Sequence, residues 1–190
     1  MALTTIRPTA ADKAIANAIA AHTTPEIERA AQLLTWGADE KILLAAAIGA
    51  RLYAARRPSL RPITNHILAV SILTAALPHV LKRGIDQTRP DRLTVKGHWR
   101  GVPFSGQPRD AFPSGHALHM GALASAADLF PRGPRQAVRA LAIALSTTRI
   151  VLLAHWASDV VAGFAAGVLI ERLVRLLTLG STASPRTGAT

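Results

Sequence analysis

Three polar side chains of different chemistry stand in an otherwise apolar stretch, TTRIVLLAHWASD: Arg149, His155 and Asp159. On a helix His155 and Asp159, at i and i+4, share a face. The carboxylate can then accept the proton on one imidazole nitrogen, fix the tautomer and leave the other nitrogen to attack or to carry a proton. Arg149 lies six residues before His155, about 240° away on an unbroken helix at 3.6 residues per turn. Two readings follow. The segment is a helix end with a capping pair, or the helix breaks between Leu153 and Ser158 and lets Arg149 converge with His155.

Upstream lie further groups of the same chemical kind: Lys82, Arg89 and the run Pro113-Ser114-Gly115-His116. A lysine and two arginines can neutralise a phosphate dianion, with the arginines adding bidentate geometry. Ser114 adds a hydroxyl, and Gly115 lets backbone N–H groups approach the same oxygens. A helix starting there would aim its dipole at an anion. Two histidines supply one nucleophile and one acid, so the outline is that of a phosphoryl-transfer site.

The remaining polar residues have plainer readings. His119, one turn after His116, could suggest a metal pair with His98, but no carboxylate or cysteine stands at ligand spacing. His79 reads as a helix-end residue, His66 and His22 as surface or interfacial, and Asp86 and Asp91 as charge balance around Arg89. Asp128 is expected to face solvent or an arginine. Trp99 and Phe104 read either as a lid over the site or as an ordinary interfacial loop.

The elements that must position these groups are apolar. Five segments, roughly Ile42 to Ala55, Ile63 to Leu81, Ala117 to Phe130, Val138 to Ala154 and Val160 to Leu179, are separated by polar or proline-rich punctuation. Hydrophobic residues make up 49% of the 190, the mean hydropathy is +0.25, and yet the net charge is +11. That segregation suits a membrane protein with basic surface loops. No basic helix with interleaved aromatics supports nucleic-acid binding, so no nucleic acid is expected. None of the segments is a clean run of about 18 apolar residues, because Arg51, Asp128, Arg149 and Glu171 interrupt them. Residues 11 to 35 read as an amphipathic helix broken near Thr24-Pro25, either lying on the membrane or covering the core. There is no cysteine, hence no disulfide or thiolate metal site, and the first fifteen residues lack a signal-peptide core.

The expected architecture is all-α: an integral membrane bundle of about five transmembrane helices with an N-terminal amphipathic region over residues 1–36. Residues 1–180 would form a single domain and residues 181–190 a disordered tail. Crossing at every segment would gather three arginine clusters on one side: Arg51, Arg56, Arg57 and Arg61; Arg132, Arg135 and Arg139; Arg172 and Arg175. The positive-inside rule makes that side cytoplasmic. The basic loop from Lys82 to His116 and the turn at His155 then meet on the opposite, non-cytoplasmic face.

The three groups of residues together resemble the signature of the type 2 phosphatidic acid phosphatase superfamily, K-x6-RP, PSGH and SR-x5-H-x3-D. Lys82-RGIDQT-Arg89-Pro90 matches the first part, Pro113-Ser114-Gly115-His116 the second, and Thr148-Arg149-IVLLA-His155-WAS-Asp159 the third. Thr148 replaces a serine and keeps the hydroxyl. The resemblance implies that His155 is the nucleophile of a phosphohistidine and Asp159 its orienting partner. His116 would be the acid that protonates the leaving oxygen and later activates water. Lys82, Arg89, Ser114, Gly115 and Arg149 would hold the phosphoryl oxygens, with no metal and no cofactor. The membrane-bound branch fits the five segments, so the expected substrate is a lipid phosphate or a polyprenyl diphosphate. A soluble acid phosphatase, a vanadate haloperoxidase-like enzyme and a catalytically silent membrane anion-binding protein are the alternatives.

Overall fold

A computed structural model of the chain describes residues 4–90 and 109–180. Its helices are α1 (Ala10–His22), α2 (Pro25–Thr35), α3 (Glu40–Tyr53), α4 (Arg61–Gly84), α5 (Gly115–Ala126), α6 (Arg132–Val151) and α7 (Ala157–Thr178). Local chemistry sets most of the starts. Thr9 and Asp12 form a reciprocal capping box on α1, Thr24 followed by Pro25 opens α2, and Asp39 accepts from two backbone amides at the head of α3. The helical expectation is met with one addition: β1 (Thr4–Thr5) pairs in parallel with β2 (Ile85–Asp86), directly after α4. The N-terminal region breaks at Thr24-Pro25, as its sequence suggested.

All five apolar segments are helical, but their lengths differ. Among the described residues one span, Pro58–Gly84, is long and apolar enough to cross a membrane. The 14 residues of α3 and the 12 of α5 rise about 21 and 18 Å at 1.5 Å per residue, short of a hydrocarbon core of about 30 Å. The outer faces remain apolar: Ile67, Ile72 and Leu73 on α4, Leu141 and Ile143 on α6, and Val161, Leu169, Leu173, Leu176 and Leu177 on α7 are all exposed.

Inside, small residues let helices meet backbone to backbone. A methyl group added at Gly167 would overlap the Leu118 carbonyl, one at Gly121 the Phe164 carbonyl, and one at Gly163 would come 2.5 Å from the Ser114 carbonyl. Gly163 and Gly167 form a GxxxG face on α7, the spacing that permits close helix crossing. This crossing holds the start of α5 against the start of α7. The N–H of Ser114 donates to the Asp159 carbonyl at 3.2 Å.

At the other end of the bundle a buried polar cluster ties α4, α5 and α7 together. His66, expected to be a surface or interfacial residue, is instead fully buried. Its Nε2 is 3.1 Å from Glu171 Oε1 and its Nδ1 is 2.8 Å from Thr178 Oγ1. Arg175 donates to Glu171 Oε1 at 2.8 Å, which satisfies a carboxylate that could not otherwise be buried. Asp128 faces arginines, with Arg139 at 2.7 Å and Arg175 at 3.9 Å. Trp156 is buried and donates from Nε1 to the Thr88 carbonyl at 2.8 Å. Trp99, Phe104 and His98, with the tail from Ser181 to Thr190, lie outside the described residues.

Gly167→Val should force α5 and α7 apart and lower stability by about 3 kcal/mol or more, beyond ordinary overpacking. Gly49→Ala, on an exposed stretch of α3 with open space around it, should be neutral or slightly stabilising. Thermal unfolding of the two variants in detergent checks the contrast.

Candidate active site

The break between α6 and α7 builds the site. Helix α6 ends at Val151, Leu152 caps it, and Leu153 takes φ 52° before α7 begins at Ala157. A bulky residue in the left-handed region costs of order 1–3 kcal/mol and persists where surroundings over-determine it. Here the Arg149 carbonyl accepts from the N–H groups of both Ala154 and His155, at 3.1 and 3.2 Å, which wraps the chain back on itself. Leu153 is also buried with Ala16, Ala111 and Trp156. The break that would bring Arg149 and His155 together is therefore present.

Lys82, Arg89, Gly115, His116, Arg149 and His155 line a single cavity of about 730 Å³. Lys82 comes from the last turn of α4, Arg89 from the segment after β2, Gly115 and His116 from the first turn of α5, and the last two from the α6–α7 corner. Ser114 and Asp159 sit behind the lining and are fully buried. Rather than facing the cavity, the Ser114 hydroxyl caps α5, accepting from the Ala117 N–H at a long 3.4 Å. Arg149 is 4% exposed. Its Nη1 donates to Thr35 Oγ1 at 3.2 Å, while its Nε is buried without a partner. A buried guanidinium with an unused donor, sharing a cavity with two other cations and the first turn of α5, is a site built for an anion.

The expected His155–Asp159 hydrogen bond does not form. The carboxylate is 3.8 Å from Nδ1, whereas the Ala111 carbonyl lies 2.6 Å away. A carbonyl can only accept, so Nδ1 carries the proton and Nε2 the lone pair. The tautomer is set by the backbone just before the PSGH turn. Asp159 Oδ2 instead accepts from the Trp156 N–H at 2.9 Å, closing the start of α7. Burial holds the His155 pKa well below its ordinary value, and the charges of Arg89, Arg149 and Lys82 push the same way against the Ala111 hydrogen bond. Both effects favour the neutral imidazole.

Two residues at the site were missed in the sequence. Asp110 accepts from Arg89 Nε and Nη2 at 3.0 and 2.8 Å and lies 3.6 Å from Lys82 Nζ. It balances Arg89, the part expected of Asp86, which instead pairs with Arg109 at 3.5 Å. The available signal was a lone carboxylate in the basic stretch between Asp91 and Asp128. Asp12 is the second: its Oδ1 accepts from the Ser158 N–H and its Oδ2 from the Ser158 hydroxyl, each at 2.9 Å. Helix α1 thus covers the corner between α6 and α7. His79, read as a helix-end residue, also lines the cavity and lies 3.5 Å from Glu40.

A family model described as the PAP2 superfamily matches residues 64–182, well over half of the chain. The chain belongs to the PAP2 superfamily. The chain also resembles two curated proteins named lipid A 1-phosphatase. The protein from Rhizobium johnstonii is 41% identical over 117 residues, 60% of this chain and 48% of that protein. The one from Rhizobium etli is 41% identical over 107 residues, 55% of this chain and 46% of that protein. The chain spans about half the length of these curated relatives. Among solved structures, the PAP2 fold here is similar to Aquifex aeolicus LpxE, with a TM-score of 0.67 and 17% identity, covering 90% of this chain and 98% of that one. It is also similar to a transmembrane PAP2-type phosphatidylglycerolphosphate phosphatase from Bacillus subtilis, with a TM-score of 0.66 and 20% identity over 94% and 88% of the two chains.

Asp12 carries a pH-dependent prediction. Burial raises its pKa, but hydrogen bonds from Ser158 and Thr9 outweigh that and hold it below the ordinary carboxylate value. A depressed folded pKa stabilises fully above the unfolded value, and that stabilisation is lost as pH falls through the folded one. Asp12→Asn should lower stability by about 1–3 kcal/mol at pH 7. The gap to the wild type, read as melting temperatures, should close as the pH is lowered below the ordinary carboxylate range.

Proposed function

We propose that the protein is a membrane phosphatase that hydrolyses a lipid phosphate through a phosphohistidine, without a metal. The observation that carries this reading is the convergence of Lys82, Arg89, Arg149, His116 and a neutral His155 on one cavity. His155 Nε2, left unprotonated because Nδ1 donates to Ala111, attacks phosphorus as the bond to the leaving oxygen breaks. His116, protonated once the substrate's phosphate offsets the charges of Arg149, Lys82 and Arg89, gives its proton to that oxygen. In the second half His116 takes a proton from water, the water oxygen attacks phosphorus, the P–N bond breaks and inorganic phosphate leaves. Lys82 and Arg149, with the N–H groups at the start of α5, hold the phosphoryl oxygens. Arg89 clamps the corner through Ala154 O at 2.9 Å and shares the same charge. Asp159, within 3.8 Å of the imidazole, stabilises the positive charge that develops on it.

The apolar outer faces of α4, α6 and α7 support a bilayer setting, with about five crossings once the shorter helices are counted. An alternating chain path puts the cavity at one end, non-cytoplasmic by the arginine rule, and Arg135, Arg139 and Arg175 at the other. The relatives named lipid A 1-phosphatase bring that lipid forward as a substrate, beside phosphatidic acid and polyprenyl diphosphates.

Purified protein in detergent should release phosphate from a lipid phosphate in the presence of EDTA; turnover that depends on added metal would sink the mechanism. His155→Asn should abolish the acid-labile phosphoenzyme trapped with labelled substrate, and undiminished labelling would remove His155 as nucleophile. Arg149→Lys keeps the charge but loses the fork, and should lower kcat by about a hundredfold, as expected for one transition-state contact.

A further inference from the structure

Arg149 has a partner that none of the three signature motifs contains. Thr35 closes α2, well before the residues 64–182 that mark the PAP2 superfamily. It is nevertheless buried and lines the same cavity as Arg149 and His155. Its place follows from the face that α2 turns inward. Ala31 and Thr35, at i and i+4, are the buried residues of this helix. Ala31 packs against Leu152 and Ala154 in the turn between α6 and α7. One helical turn later the Thr35 hydroxyl meets Arg149 Nη1 at 3.2 Å.

Chemistry fixes the direction of that bond. A guanidinium has no acceptor, so Arg149 donates and Thr35 Oγ1 accepts. Which nitrogen is taken also matters. In the planar fork the Nε–H and one N–H of Nη2 lie along a single edge, and Nη1 is outside it. Thr35 occupies Nη1, whereas Nε is buried with no partner among the described residues. The edge left over is the side-on pair, which can hold two phosphoryl oxygens at once. Without the Thr35 oxygen, Nη1 would be buried and unpaired, and the fork would gain by turning Nη1 to the anion instead.

We propose that Thr35 is a positioning residue for phosphoryl binding: by holding Arg149 Nη1, it presents the Nε edge of the guanidinium to the phosphate. This rests on the phosphatase reading and adds to it a residue from α2. The N-terminal region then does more than cover the bundle, because one of its helices sets the orientation of a cation in the anion site.

Thr35→Val keeps the shape of the side chain and removes the acceptor. Its kcat/KM for dioleoyl phosphatidic acid in detergent should fall by about tenfold or more, the loss expected for a hydrogen bond to a charged group. Thr35→Ser should recover most of that loss. In an Arg149→Lys background, which has no Nη1 to hold, Thr35→Val should cost little more. Inorganic phosphate gives a readout apart from turnover. It should raise the melting temperature of the wild type, and the Kd drawn from that shift should weaken by about tenfold in Thr35→Val. Thr35→Ala removes the same oxygen with less bulk and takes over if Thr35→Val does not fold. Losses that multiply fully in the double variant, or a phosphate Kd that Thr35→Val leaves unchanged, would make Thr35 a packing residue and overturn the inference. The phosphatase reading would then still stand. A wild type that binds phosphate but releases none from any lipid phosphate would remove that reading, and the phosphate Kd values would then decide the role of Thr35. A wild type that neither binds nor releases phosphate would remove both.

Discussion

Arg149 and His155 must face one cavity although six residues separate them, and every feature of the site answers to that requirement. On a continuous helix the two side chains would point about 240° apart. The chain resolves this by ending α6 and turning at Leu153 with φ 52°. A turn held against its own preference has to be pinned from several sides. The Arg149 carbonyl takes two amides, Arg89 holds the Ala154 carbonyl, Ala111 holds the imidazole, Asp159 closes the head of α7, and Asp12 reaches Ser158 from α1. These contacts come from five separate stretches of chain, so the corner is rigid only in the folded bundle.

The same corner explains why so many cations can sit close together. Arg149 is almost fully buried and Arg89 nearly so, a state that neither group would tolerate alone. Asp110 meets Arg89 and Lys82, and Thr35 meets Arg149. The charge left over faces the cavity, where it adds to burial in holding the His155 pKa below its ordinary value. Glycine packing between α5 and α7 matters for the same reason. It sets the first turn of α5, with His116, against the corner without a layer of side chains in between.

Much of this was legible from residue types and spacing. The cationic trio, the two histidines and the PSGH turn signal one anion site because each chemistry is costly in apolar surroundings unless it is used. The helix break followed from the geometry of a six-residue spacing, and the break at Thr24-Pro25 from capping chemistry. What was illegible depends on partners distant in the chain. Asp110 looked like one charge in a basic loop. His66 read as interfacial because nothing local reveals that Glu171, 105 residues away, buries it. The i and i+4 spacing even favoured the wrong acceptor for His155, since a helix starting at Ala157 leaves that residue outside the helix with Asp159.

The sequence by itself determined the inventory: which charges and imidazoles exist, that they are embedded in helical apolar segments, and that Arg149 and His155 can cooperate only across a break. These are local properties, fixed by residue chemistry and helical periodicity. Only the tertiary structure decided how the inventory is used. It directed the His155 N–H to a backbone carbonyl, placed Asp110 between two cations and drew α1 over the corner. Each of those outcomes depends on hydrogen-bond distances between segments far apart in sequence, and periodicity within one segment carries no information about them.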